Sequence, residues 1–73
     1  MIVSSFMEKI YKYPLYPTLN AYLYAMLGSV ALVDRWYDSP NRAFGLQKPI
    51  DLIVSGEMGR AQVYKYVLDC AHR

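Results

Sequence analysis

The side chains in this sequence that are able to act as nucleophiles, bases or metal ligands are few and dispersed. Its single cysteine, Cys70, and its single histidine, His72, stand two residues apart at the end of the chain. Attack by the thiol would need a base held against it, and no second histidine exists to serve. His72 reads as a solvated residue at a helix end, where a cation complements the helix dipole, and fraying at a terminus works against a catalytic geometry. The acids Glu8, Asp34, Asp38, Asp51, Glu57 and Asp69 show neither paired carboxylates on one helix nor the His-Glu-x-x-His spacing of a zinc enzyme. No metal site and no cofactor site is expected. Gly56-Glu57-Met58-Gly59 holds two glycines but lacks the Lys-Ser/Thr of a phosphate-binding loop, so it reads as a helix start.

Stacking chemistry is the next possibility. Tyr11, Tyr13 and Tyr16 with Lys9 and Lys12 form a basic and aromatic cluster, of the kind that stacks bases when the rings line an open groove. The same rings beside Pro14 and Pro17 also suit the corner between two helices. No predicted helix carries Arg, Asn and Gln along one exposed face, as a major-groove reader would. A net charge of +2 adds no strong field for a polyanion. Direct nucleic-acid binding by this chain alone is not expected.

The elements available to position these groups are limited by length. Seventy-three residues, 55% of them hydrophobic, make one small domain whose core is marginal unless something adds to it. One cysteine cannot close an internal disulfide, which leaves a partner chain as the supplement and a reducing, cytoplasmic setting as the expectation. The 21 residues 13–33 are uncharged, long enough in number to span a bilayer, but Pro14, Pro17 and Gly28 cut the apolar helical part short. A short membrane peptide is therefore the weakest reading.

Pro and Gly divide the sequence into short helices without strand alternation, so the fold class is all-α, a small bundle of four to five helices completed by dimerisation. Residues 1–17 form a short helix, about Phe6 to Tyr13, with a capping box at Ser5 and Glu8 and a Pro-containing connector. Residues 18–73 form the main helical domain. Leu19, Tyr22, Leu23, Met26 and Leu27 share one face of a helix that Gly28 terminates. Ser29 caps a helix through Val33, Trp36 and Tyr37, and Asp38-Ser39-Pro40-Asn41 is a turn. Asn41 to Gly45 makes one helical turn, Pro49 opens a helix to Val54, and the last helix runs from about Glu57 to His72. The core is expected around Leu19, Leu23, Leu27, Val33, Trp36 and Leu52.

The last helix is the most informative. At about 100° per residue, Tyr64, Val67, Leu68 and Ala71 form one stripe and Val63, Tyr66 and Cys70 another beside it. One stripe would satisfy a helix packed on one side of a core. The surplus marks a second contact, with Val63, Tyr64, Tyr66, Val67 and Cys70 as its surface and Arg42, Arg60 and Arg73 as charges at the rim.

Gly28-Ser29, Val33-Asp34-Arg35-Trp36-Tyr37, Ser39-Pro40-Asn41-Arg42-Ala43-Phe44-Gly45, Pro49-Ile50-Asp51-Leu52-Ile53, Gly59, Val63 and Leu68 together resemble the toxin-binding domain of the MbcA/ParS/Xre antitoxins. That family shows a helix ending in tryptophan, a Pro-Asn-x-Ala-Leu-Gly turn, a Pro-Leu-x-Leu helix and a final helix begun by glycine. Phe44 stands where the family commonly has leucine, and Leu46 where glycine is frequent. Trp36, Pro40, Asn41, Gly45, Pro49 and Leu52 are expected to preserve shape, because turn and cap residues usually do.

The resemblance implies a non-enzymatic module that pairs with itself and binds a protein, as family members hold a RES-domain toxin, which consumes NAD, by covering its active site. Complete members carry a helix-turn-helix half upstream; the residues ahead of Leu23 are too few for it, so a stand-alone toxin-binding domain is expected. The alternative is a small protein of a phage or mobile element that mimics an antitoxin domain to inhibit a host regulator.

Overall fold

Residues 11–72 are described by the computed structural model. Four α-helices follow one another, α1 (Pro17–Leu27), α2 (Val30–Asp38), α3 (Pro49–Ser55) and α4 (Glu57–Ala71), with a 3-10 turn at Arg42–Phe44 between α2 and α3. The all-α expectation holds. Each boundary has a local cause. Pro17 and Pro49 occupy first turns, where an amide hydrogen would have no helical partner. Gly28 closes α1 in the left-handed region, φ 91°, and its N–H reaches the Tyr24 carbonyl at 2.8 Å. Ser29 Oγ accepts from the Leu32 amide at 3.2 Å to start α2.

The segment ahead of α1 differs from expectation. Tyr11 to Tyr13 carry no helix, so the described part of the predicted first helix is a non-helical strap lying against α1 and α2. The Ser5 and Glu8 capping box lies outside the described residues. The strap is held because Asn20, only 2% exposed, donates from Nδ2 to the Tyr13 carbonyl at 2.9 Å.

Every helix contributes to one core: Leu19 and Leu23 from α1, Val33 and Tyr37 from α2, Ile53 from α3, Val63 and Val67 from α4, with Phe44 from the 3-10 turn. Burying such a side chain contributes roughly 1.5–3 kcal/mol. Three expected core residues, Leu27, Trp36 and Leu52, are half-buried and flank this cluster. Val33 and Tyr37 are four residues apart, as are Pro49 and Ile53. Each pair shares a helix face, and those two faces turn inward, which rotates Trp36 and Leu52 to the side. The α3–α4 corner is closed by contact of backbones: a Cβ on Gly59 would collide with the Leu52 carbonyl oxygen.

Tyr37 brings a hydroxyl into this core, and it donates to Asn20 Oδ1 at 2.6 Å. Burial pushes its phenol well above the ordinary value, with the nearby Tyr64 and Tyr16 adding to the effect. The neutral form is thus the one the fold accepts. Its stabilising contribution is complete below the ordinary phenol value of 10.0 and is lost as the pH rises beyond it toward the raised folded value. Tyr37→Phe should strand the Asn20 oxygen and lower stability by about 1–3 kcal/mol in urea unfolding. Asn20→Leu alone also strands the Tyr13 carbonyl, and the loss in the double variant should be smaller than the sum of the two single losses, because Tyr37 and Asn20 act as one pair. A double variant whose loss equals the sum of the two single losses would contradict this account.

Candidate functional site

The expected surface on α4 is divided by the fold. Val63 and Val67 are fully buried, so they are core residues of the folded chain and present nothing to a partner. The reason is that α4 packs against both α1 and α3, and two neighbours take up a wider apolar arc than one. Tyr64, Tyr66 and Cys70 remain half-buried at its edges, with Cys70 a free thiol. Arg42 and Arg60 are exposed, one on the 3-10 turn and one in the first turns of α4. Arg73 lies outside the described residues.

A series of edge-to-face rings connects this surface with the rest of the molecule. Tyr66 meets Phe44 at 5.1 Å between centroids, Phe44 meets Trp36 at 6.3 Å, Trp36 meets Tyr37 at 5.7 Å, and Tyr37 meets Tyr13 at 5.0 Å. Such pairs contribute about 0.5–1.5 kcal/mol each beyond the area they bury. The series fixes the 3-10 turn against α2 and α4. Sequence periodicity did not reveal it, since Phe44 and Tyr66 come together only in three dimensions.

The turn itself is assembled from short-range bonds. Asn41 Oδ1 accepts from the Ala43 amide at 2.9 Å, and Asn41 pairs with Gln47 across the mouth of the loop. Gly45 adopts the left-handed region at φ 63°, and Leu46 follows it there at φ 69°. Of the residues assigned to shape, Asn41, Gly45 and Pro49 act as caps or stops, Trp36 belongs to the ring series, Leu52 offers its carbonyl to the Gly59 crossing, and Pro40 is exposed.

Beside the turn, at the end of α2, a clasp holds the strap. Asp38 accepts from the Tyr13 hydroxyl at 2.5 Å and from Lys12 Nζ at 2.7 Å, while the Lys12 amide donates to Asp34 at 3.0 Å. The hydrogen bonds from Lys12 and Tyr13 hold the Asp38 carboxyl below its ordinary range; the same bonds raise Lys12 and Tyr13. The basic and aromatic cluster seen in the sequence is therefore partly engaged in holding the chain to itself. Lys9 lies outside the described residues.

Among the described residues, no three His, Cys, Asp or Glu side chains gather, and no helix is long and apolar enough to cross a membrane. The arrangement offers contact area and charge. Residues 22–73 match a protein-family model described as the antitoxin Xre/MbcA/ParS C-terminal toxin-binding domain. Neither the curated proteins nor the solved structures provide a match.

Lys12 and Tyr13 stand ahead of the matched segment, so the clasp joins it to the residues before it. Because the Asp38 carboxyl is lowered, its contribution is complete above the ordinary value of 3.8 and is lost as the pH falls through the lower folded value. Asp38→Asn should reduce the melting temperature at neutral pH, and its melting curve should converge with that of the unmodified chain as the solution is acidified. A constant gap between the two down to strongly acidic pH would refute the assignment.

Proposed function

The chain belongs to the Xre/MbcA/ParS antitoxin C-terminal toxin-binding domain family, and on that premise we propose that it is a non-enzymatic module that captures a RES-type, NAD-consuming toxin and holds it inactive. The observation that carries the reading is the family match over residues 22–73, which spans α2, the 3-10 turn, α3, α4 and most of α1. The half-buried rings of Tyr64 and Tyr66 suit such a role, because aromatic side chains supply large contact area and an amphipathic edge. Arg42 and Arg60 at the border of this surface would orient an acidic partner and speed its arrival. Inhibition of this kind needs no chemistry from the chain: cover over the approach to the toxin's active site is sufficient. Action in the cytoplasm accords with a free thiol.

We also propose that two copies pair through α1. Its eleven residues carry no charge, and the exposed Pro17, Thr18, Ala21 and Ala25, with the half-buried Tyr22, line a shallow groove. Two such helices meet without like-charge repulsion, and Ala21 and Ala25, four residues apart, allow close approach.

Co-expression with a RES-domain toxin in a bacterial host is the direct test. The chain should restore growth and cellular NAD, and the double substitution Arg42→Glu with Arg60→Glu should weaken the purified complex at least tenfold. Continued growth arrest in the presence of soluble chain would exclude this target. Light scattering should give the mass of two chains, and Ala25→Glu should reduce it to one.

A further inference from the structure

The loop between α2 and α3 is closed by several backbone bonds. The Asn41 amide donates to the Gln47 carbonyl at 3.1 Å, Leu46 to Asn41 at 2.9 Å, Gly45 to Arg42 at 3.2 Å and Gln47 to Phe44 at 3.2 Å. Within it Leu46, at φ 69°, is the one described residue other than glycine with a positive φ. A bulky apolar residue is a poor occupant of that region, because its Cβ crowds the backbone. Its side chain also stands 66% exposed, so little core packing compensates the strain. Both the backbone and the solvent disfavour leucine here. Strain that persists because its surroundings over-determine it is a pointer to function.

The charge around this tip has one sign. Residues 39–50 carry Arg42 and Lys48 and no acid. The neighbouring Asp38, at the end of α2, is engaged by Lys12 and Tyr13, and Asp51 follows in the first turn of α3. The tip is thus an apolar projection between two exposed cations.

We propose that Leu46 is a contact residue for the toxin, seated in an apolar socket on an acidic surface, with Arg42 and Lys48 paired around its rim. The inference rests on the toxin-binding reading and extends its surface from α4 to the 3-10 turn. Contacts that combine a buried apolar anchor with flanking arginine carry a large share of binding energy at such interfaces.

The test uses the full chain and a purified RES-domain toxin, titrated calorimetrically at low and high salt, with thermal melts of each variant. Leu46→Asn places in the turn a residue that tolerates the left-handed region. It should melt at or above the temperature of the unmodified chain and yet bind the toxin at least tenfold more weakly. Leu46→Gly should bind as weakly as Leu46→Asn. Arg42→Gln with Lys48→Gln should weaken binding and remove most of its dependence on salt. Unchanged toxin affinity in Leu46→Asn would overturn the inference while leaving the toxin-binding reading in place. Absence of binding by the unmodified chain would overturn both. A Leu46→Asn variant that melts well below the unmodified chain would make Leu46 a structural residue and overturn the inference. So would a loss of self-association with toxin affinity intact.

Discussion

The hydrogen bond from the Tyr37 hydroxyl to Asn20, 2.6 Å long and enclosed by the core, sets the relation of α1 to α2 on which the other contacts depend. Both groups are removed from water, so each needs the other; an orphan at either end would cost about 1–3 kcal/mol, a large part of the stability of a domain this small. Asn20 then uses its amide nitrogen to fix the Tyr13 carbonyl, which brings the strap within reach of Asp38. Tyr37 meanwhile presents its ring to Tyr13, Tyr16 and Trp36. A single polar pair in an apolar interior thereby specifies register, where apolar contacts alone would tolerate sliding.

The helix boundaries were legible because their causes are local. Pro17, Gly28, Ser29, Asn41, Gly45 and Pro49 each impose or satisfy a backbone condition within a few residues, and the structure places them at element ends. Side-chain depth was less legible. Whether Trp36 or Tyr37 faces inward depends on the rotation of α2 by about one residue, which is decided by what α1 and α3 offer it. Asn20 gave no signal, as its partner is far along the chain. The strap was read as helix because Pro14 and the capping pattern suggested one, whereas the tertiary bonds of Lys12 and Tyr13 favour a non-helical path.

The candidate surface was legible in part for a related reason. The width of the apolar arc on α4 was evident from spacing, but spacing counts faces and not neighbours. With α1 on one side and α3 on the other, Val63 and Val67 go to the core, and Tyr64, Tyr66 and Cys70 are left at its margins. The close backbone crossing at Gly59 makes this two-sided packing possible, since any side chain there would force α3 and α4 apart. Leu46 has the opposite character. Its departure from the frequent glycine was visible in the sequence, but only its φ of 69° and its exposure reveal that it lies against both backbone preference and solvent.

The ring series has a consequence for how the molecule is observed. Trp36 is the one tryptophan among eight tyrosines, and its indole lies edge-on between Tyr37 and Phe44, at 5.7 and 6.3 Å. Ultraviolet light absorbed by the nearby phenols is handed to that indole, so emission at longer wavelength originates from one place in the fold. The place adjoins the strap through Tyr37 and the loop through Phe44. The chain therefore carries its own optical gauge, without a dye or label, positioned where a change at the strap or at the loop would alter its colour.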